Sequence, residues 1–430
     1  MLLAIRRAAV LVTLAFAAAR PLAAQEPDTT EVARLKAQVE AILRELETMR
    51  LGAEVVSQAD TSIYGFGPAA SKVYKGRPGV SVGGYGEFHY ENFARDRQDG
   101  TPSGLGDRID ALRAIVYFGY KFSDRVLFNS EVEFEHGSTE DGGSVSVEFA
   151  YLEGRLSPAF GLRGGLLLAP MGFLNEIHEP PAFLGTTRPE TERRIIPSTW
   201  REIGAGVFGG RGDLNYRAYL LTGFDAEGFA ASGIRDGRQN GAEAKGINFA
   251  VVGRLDWTGA PGLALGGSAY VGNAGQGATL PSDPTLSIGA RTTIWEAHAE
   301  YKARGFDLRG LVAQTYVNDA AQVNELNGLI GDASVGERLT GWYVQGGYDV
   351  LRRLRTSQQL LPYVRYEKLN TQDAVPDGFA ASPATDRTIV SFGVAWKPLF
   401  NIALKADYQV HRNEADTGVN QFNVNLGYLF

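Results

Sequence analysis

The chain of 430 residues contains no cysteine and only three methionines. Without cysteine there is neither a disulfide framework nor a thiol to accept a lipid anchor, so the fold is held by non-covalent contacts. Long apolar runs are also missing. Residues 8–19 are too few for a membrane-spanning helix, which needs roughly 20, and no later segment reaches that length. The sequence therefore does not predict a helical membrane protein.

Acidic residues outnumber basic ones, 49 to 42, which gives a formal charge of −7. This balance argues against a nucleic-acid partner and does not by itself favour anion binding. The abundant residues are instead glycine (53), phenylalanine (22) and tyrosine (18). Glycine for tight turns and aromatic side chains for interfacial girdles are typical of an all-β chain.

Residues 1–24 have the pattern of a cleaved export signal. Arg6 and Arg7 precede the apolar run, and Leu22-Ala23-Ala24 ends in the small residues that a signal peptidase prefers. We expect the mature chain to begin at Gln25.

Residues 25–52 carry apolar side chains at alternating spacings of three and four, which indicates a short parallel coiled coil. A solvated amphipathic helix is the alternative, and the core residue types leave a dimer and a trimer both open. Residues 53–78, with their glycine, proline and serine, are interpreted as a linker or as a segment laid against the next domain. The apolar positions of the coiled coil are Val32, Leu35, Val39, Ile42, Leu46 and Met49.

From Gly79 onward the apolar pattern has period two, which sends alternate side chains to opposite faces of a strand. One face is apolar and the other is polar, as lipid and water require of a transmembrane strand. In one such segment the apolar positions are Val126, Phe128, Val132 and Phe134, and the polar ones are Asn129, Glu131, Glu133 and Glu135.

A soluble β-sandwich also alternates, but loop lengths distinguish the two architectures. Short turns such as residues 304–305 alternate with long polar loops such as residues 224–245, as periplasmic turns and extracellular loops do. We therefore predict an all-β fold for residues 79–430, a transmembrane antiparallel barrel of about sixteen strands, closed because lipid does not tolerate open edges. An even strand number places both termini in the periplasm of a Gram-negative-type cell. The last strand ends in Phe430, which resembles the signal recognised by the barrel-assembly machinery, an expected partner.

The inward loop, residues 170–203, is the longest loop and combines apolar side chains with arginines and glutamates. A loop of this composition is expected to fold against protein, and in a barrel the available space is the lumen. There it narrows an aqueous channel, and its charges face the permeating ion. We predict passive diffusion of small solutes, and the loop by itself leaves the ion preference open.

Arginines in a constriction stabilise anions in transit, whereas carboxylates stabilise cations or pair across the lumen to brace the barrel. Strand parity places further charged side chains on the lumen wall. The candidate constriction and anion-binding residues are Arg188, Arg193, Arg194 and Arg201 of the loop, with Arg113 and Arg163 of the wall. The candidate counter-charges are Glu131, Glu133, Glu176 and Glu179.

Several segments resemble the phosphate-selective porin O and P family, and the resemblance covers nearly the whole mature chain. It implies a sixteen-stranded trimeric barrel with an inward third loop, passing phosphate or related anions along arginines and lysines. The chain departs from the dense arginine ladder and lysine cluster of that family, because its four loop arginines are interleaved with glutamates. The segments are Leu174-Asn175-Glu176-Ile177-His178-Glu179-Pro180-Pro181, Arg188-Pro189, Ile195-Ile196-Pro197-Ser198-Thr199-Trp200-Arg201-Glu202, Gly65-Phe66-Gly67-Pro68-Ala69-Ala70-Ser71-Lys72-Val73-Tyr74 and Ser81-Val82-Gly83-Gly84-Tyr85-Gly86-Glu87.

The alternatives are a general non-selective porin, an outer-membrane enzyme and a structural barrel. An enzyme of this class uses a nucleophile, a histidine and an orienting acid. His178 lies beside Glu176 and Glu179, and His298 lies between Glu296 and Glu300, but neither has the spacing of a metal site or an accompanying nucleophile motif. We expect a homotrimeric porin for small anions such as phosphate, with no enzyme activity, no cofactor and no metal. Absence of conductance would favour the enzyme or the structural barrel.

Overall fold

A computed structural model describes residues 64–138 and 142–430. The described chain forms a closed barrel of 16 strands in which each strand pairs antiparallel with its sequence neighbours and β1 pairs with β16. The predicted all-β antiparallel barrel of about sixteen strands is confirmed. The predicted signal peptide, the coiled coil and residues 53–63 of the linker lie outside the described residues and stay predictions.

The strands begin near the predicted change of period and continue to the end of the chain. Strand ladders run without interruption except for bulges, such as the one between Glu87 and His89. The strands are β1 (Gly79–Phe93), β2 (Arg108–Lys121), β3 (Val126–Glu135), β4 (Ser144–Ser157), β5 (Phe160–Leu168), β6 (Arg201–Arg211), β7 (Leu214–Thr222), β8 (Phe249–Ala260), β9 (Leu263–Asn273), β10 (Arg291–Ala303), β11 (Phe306–Val317), β12 (Arg338–Tyr348), β13 (Gln359–Ala374), β14 (Asp386–Leu399), β15 (Ile402–Asn413) and β16 (Gln421–Leu429).

Helical structure in the described residues is short and lies outside the strands. No helix in this part of the chain is long and apolar enough to cross a membrane. The α-helices are α1 (Lys72–Lys75), α2 (Glu190–Arg194) and α3 (Ala320–Leu326), and the 3-10 helices are Pro180–Ala182, Ala226–Gly228, Arg235–Gly237, Gly331–Ala333 and Pro383–Thr385.

Side chains alternate between an apolar outer face and a polar lumen, as the period-two pattern predicts. In β3, Val126 and Phe134 are exposed on the outside, whereas Glu131 and Glu133 are buried inside. Outward-facing Phe and Val side chains recur around the barrel, which gives it the apolar surface of a protein in lipid.

The two rims of the barrel differ in their connections. Six of the seven connections from even-numbered strands to the next odd-numbered ones have two to four residues, and the seventh, between β12 and β13, has ten. The connections at the opposite rim have seven to 32 residues. We call the two rims the turn rim and the loop rim. Gly79, which begins β1, and Leu429, which ends β16, both lie at the turn rim.

One predicted boundary is wrong. β6 begins at Arg201, because Arg201 pairs with Leu168 and Glu202 with Leu167 in the ladder with β5. The inward loop between strands is therefore residues 169–200, and Arg201 belongs to the wall rather than to the loop. The ladder extends because residues 201–203 alternate in and out like the strand that follows them.

The hydrophobic core lies inside the lumen. A cluster of buried side chains joins the inward loop (Ile195, Ile196, Trp200) to the wall and to residues 64–76, which precede β1. We call residues 64–76 the strap. Phe66 and Tyr74 of the strap are almost fully buried against the barrel wall. Loop and strap together fill much of the space that a bare barrel of this size would leave open.

Candidate functional site

Asn175 holds the two ends of the inward loop together. Its side-chain amide donates hydrogen bonds to the carbonyl oxygens of Ala169, at 2.6 Å, and Trp200, at 2.9 Å. The backbone N–H of Trp200 donates to the Asn175 side-chain oxygen at 2.7 Å. One buried amide thus satisfies backbone groups from both ends, which fixes the direction in which the loop enters the lumen.

Glu192 of α2 ties the loop to itself and to the far wall. Its carboxylate accepts hydrogen bonds from the backbone N–H groups of Phe173 and Leu174, each at 2.8 Å, and from the Tyr343 hydroxyl of β12 at 2.6 Å. Burial raises the pKa of Glu192, although these donors oppose that shift. The loop therefore crosses the lumen instead of lying along one strand.

Further anchors come from strands β11 to β15, across the lumen from the strap. Charged wall side chains bind backbone groups of the loop, so these charges are used in positioning it. Arg309 donates to the Ala182 oxygen at 2.7 Å, Lys397 to the Pro181 oxygen at 2.8 Å and Lys405 to the Gly185 oxygen at 3.0 Å, and Asp407 accepts from the Thr186 N–H at 2.8 Å.

Three of the four predicted counter-charges connect the inward loop to the wall or to the strap. Glu131 lies 3.1 Å from Nε2 of His178. Glu176 pairs with Arg217 at 3.4 Å. Glu179 accepts the backbone N–H of Ala69 at 2.9 Å. These carboxylates brace the filled lumen.

Three of these loop side chains have shifted pKa values, and burial raises that of Glu176 although Arg217 and Arg254 oppose the shift. Burial, with Arg188 and Arg113 nearby, lowers the pKa of His178 to about 3, so its imidazole is neutral. Burial raises the pKa of Glu179 to about 7, although two backbone N–H groups of the strap favour its ionised form. Of His178 and Glu179, it is therefore Glu179 that titrates near neutral pH.

A cavity of about 1230 Å³ lies between the inward loop and the loop rim. It is rich in arginine and contains no lysine on its lining. Nine arginines face seven carboxylates there, so the cavity is on balance positive although the chain is acidic. The arginines are Arg108, Arg113, Arg188, Arg193, Arg194, Arg235, Arg365, Arg387 and Arg412.

Arg188 is the predicted residue best suited to meet an anion. Its Nη2 atom is buried and has no hydrogen-bond partner within residues 64–138 and 142–430. Burial and the nearby Arg113 lower the pKa of Arg188, while Tyr85 and Glu87 oppose that shift. A buried guanidinium group beside another one is stabilised by any anion that enters between them.

Arg193 and Arg194 share one carboxylate. Glu190 lies 3.0 Å from Arg193 and also bonds Arg194, with spacings of three and four residues on α2. Burial raises the pKa of Glu190, but the two arginines lower it to about 2. The group of three side chains therefore carries one net positive charge at neutral pH.

The remaining predicted arginines are placed elsewhere. Arg113 lines the cavity but pairs with Glu87 at 3.1 Å and, at 3.6 Å, with Glu133, the fourth predicted counter-charge. Arg201 pairs with Glu148 of β4, and Arg163 pairs with Glu153 at 2.8 Å near the turn rim, where it stacks on aromatic rings. Arg201 and Arg163 are not among the residues that line the cavity.

No established family model matches the sequence. The chain is 40% identical over 365 residues to an uncharacterized protein of Aquifex aeolicus strain VF5, an alignment that covers 82% of this chain and 80% of that protein. The chain belongs to the same family as the Aquifex protein. Because the alignment covers most of both chains, the two proteins share one architecture over most of their length.

Three solved outer-membrane structures are similar to the barrel, each at 14% identity or less, so the likeness shows the fold alone. The DcaP channel of Acinetobacter baumannii has a TM-score of 0.53 at 14% identity and covers 82% of this chain and 97% of its own. An anion-selective porin from Comamonas acidovorans has a TM-score of 0.51 at 12% identity, covering 82% and 99%. OmpT of Vibrio cholerae in its trimer form has a TM-score of 0.50 at 14% identity, covering 83% and 100%.

Six of the nine cavity arginines in this member of the family come from outside the inward loop, and Arg235 and Arg387 are two of them. Arg235 lies in the loop after β7, and burial, with Arg238, Arg193 and Arg188 nearby, lowers its pKa to about 9. Arg387 lies at the start of β14. Sequence reasoning missed both residues, since only the parity of β14 could have indicated Arg387 and no pattern marks Arg235.

The histidines do not form a recognisable catalytic or metal site in the described residues. His298 lies 2.8 Å from Glu296 and 3.1 Å from Asp256, but the nearby Ser268 hydroxyl donates to Glu296 instead of to the imidazole. In the same part of the chain there is no group of three or more side chains able to hold a metal ion.

Proposed function

We propose that this protein is an outer-membrane porin through which small solutes diffuse passively, with a preference for anions. The observation that carries the proposal is the arginine-rich cavity above a loop that is anchored across the lumen. A fixed loop presents its charges in one arrangement to every ion that passes, as a constriction must.

The outer surface supports the location. A closed barrel leaves no unpaired strand edge, and its outward side chains are apolar, so it fits a hydrocarbon layer and not water. With both ends of the barrel sequence at the turn rim, that rim faces the periplasm and the long loops face outward. Assembly then requires the barrel-assembly machinery.

The electrostatics support the anion preference. The Nη2 atom of Arg188 has no hydrogen-bond partner among the described residues, and Arg193 and Arg194 share Glu190. Mutual repulsion among buried guanidinium groups is relieved by an anion and increased by a cation. Phosphate is the specific anion that we propose, in a homotrimer, and both proposals are supported by the sequence resemblance and by the anion-selective and trimeric porin-type neighbours.

The proposal is tested by the zero-current potential of the purified protein in a planar bilayer under a potassium chloride gradient. An anion-selective potential, together with a conductance that phosphate reduces, supports the proposal in full. A potential near zero with steady conductance indicates a general porin, an alternative favoured by the seven carboxylates of the cavity. Absence of any conductance would refute a porin role.

A further inference from the structure

The strap covers one side of the lumen near the turn rim. Its Phe66 ring packs against Phe149 and Tyr151 of β4, with ring centroids 5.1 Å and 5.5 Å apart. Arg163 of β5 lies over the same ring at 4.8 Å. The Tyr74 hydroxyl donates to Glu153 of β4 at 2.8 Å. These contacts lay the strap on the wall formed by the first strands.

Polar contacts fix the strap along the neighbouring strands. Asn129 of β3 donates to the Ala70 oxygen at 3.1 Å, and Lys121 of β2 donates to the Gly76 oxygen at 2.9 Å. The backbone groups of a non-regular segment buried in a lumen need such partners. The strap therefore occupies a defined position against the wall.

Two glycines allow the strap to approach the inward loop. A Cβ at Gly67 would lie 2.6 Å from the carboxyl carbon of Glu179, and one at Gly65 would lie 2.6 Å from Glu176. Gly65 also has a φ of +91°, which favours glycine. Any side chain at position 67 must displace the strap or the loop carboxylate.

The opposite side of the lumen differs in its access to water. Under the strap, the side chains of Glu153 and Arg163 are 0% and 2% exposed. At a similar height on β10 and β11, Glu300, Lys302 and Asp307 are 14%, 15% and 11% exposed, although all three are ion-paired. We call the side lined by β8 to β11 the corridor. These corridor side chains are more exposed than Glu153 and Arg163 beneath the strap, whereas Arg155, over the Tyr74 ring of the strap, is 20% exposed.

We propose that the strap closes one side of the lumen at the turn rim and confines permeating solutes to the charged corridor along β8 to β11. This inference rests on the proposed diffusion function. It makes the strap a second determinant of solute size, placed beyond the inward loop, and it makes the mixed charges of the corridor the last groups that a solute meets.

Because the chain has no cysteine, single introduced thiols report water access without interference. We compare Glu300→Cys in the corridor with Asn129→Cys beneath the strap, using a charged, water-soluble methanethiosulfonate reagent on the full-length protein. The Glu300→Cys thiol should react, and the reaction should reduce the single-channel conductance. If the strap is displaced in at most about 10% of molecules, the Asn129→Cys thiol should react at least about tenfold more slowly, without a change in conductance.

A second variant displaces the strap. Gly67→Ala brings a methyl group onto Glu179 and should raise both the conductance and the reactivity of the Asn129→Cys thiol. Gly106→Ala is the matched control, because a Cβ there meets nothing within 4 Å. Equal reactivity of the two thiols in the parent protein, or an unchanged conductance after modification of the Glu300→Cys thiol, would overturn the proposal. If no variant conducts, the porin function fails, while labelling measured by mass spectrometry still tests the position of the strap.

Discussion

Opposite charge changes at neighbouring positions of the inward loop should shift ion selectivity in opposite directions. Arg188→Gln removes one positive charge from the cavity, and Glu190→Gln removes one negative charge, with similar side-chain lengths. Glu190 is ionised throughout the usual pH range, because Arg193 and Arg194 hold its pKa near 2 against the effect of burial. The two substitutions therefore change the charge of the cavity by the same amount with opposite sign.

The magnitude follows from Coulomb's law. A unit charge 4 Å from a passing ion contributes about 1 kcal/mol in a water-like medium. The contribution is favourable for one ion and unfavourable for the other, so the chloride-to-potassium permeability ratio changes by up to about 2 kcal/mol, or about thirtyfold. Arg188→Gln should therefore lower the chloride-to-potassium permeability ratio by up to about thirtyfold at low salt. Glu190→Gln should raise it by a similar factor. At 1 M salt both effects should shrink, because the screening length falls to about 3 Å.

The assay is the reversal potential in a planar bilayer under a potassium chloride gradient. Arg353→Gln, at an exposed position in the turn between β12 and β13 and away from the cavity lining, is the charge-matched control and should leave the ratio unchanged. The double variant Arg188→Gln/Glu190→Gln should return towards the parent ratio. If both single variants shift the ratio in the same direction, the cavity charge is not its cause.

Three further predictions concern stability and pH. Glu179 has its pKa raised by burial from 4.5 to about 7, so the folded protein binds this proton more tightly than the unfolded chain. As pH falls from about 7 to about 4.5, the free energy of unfolding of the parent should rise by up to about 3 kcal/mol relative to that of Glu179→Gln. Denaturant unfolding in micelles measures this difference. Asn175→Ala removes the acceptor of the buried Trp200 N–H and should lower the free energy of unfolding by about 1–3 kcal/mol in the same assay. Arg235→Gln should weaken the anion preference at both neutral and alkaline pH, because it removes a guanidinium charge from the cavity lining, and reversal potentials at increasing pH measure it.

The barrel was predictable because one face of each strand contacts lipid and the other faces water. Lipid and water select alternate residues, so the parity that places Phe134 outside and Glu133 inside is present in a single segment of sequence. Turn and loop lengths then give the strand number and the two rims. These are local features, and none depends on a partner distant in the chain.

The roles of the charged residues were less predictable, because pairing is decided by distant strands. Arg188, Arg193, Arg194 and Arg201 look alike in the sequence, yet Arg201 is neutralised by Glu148, 53 residues away. The strap depends on Glu179, 110 residues from the Ala69 N–H that it accepts. Strand and helix periodicity carry no information about such contacts.

The anchors of the inward loop also set an order of assembly. The loop leaves the barrel after β5, but Thr186 finds its acceptor, Asp407, only on β15, 221 residues later. Contacts of such long sequence separation form late, since the intervening chain must be placed first. The part of the constriction around Gly185 and Thr186 therefore takes its final position only when the last strands join. A chain truncated before β15 would keep the anchors on β11, β12 and β14 but would lose those of Gly185 and Thr186, so this part of the constriction would not be fixed.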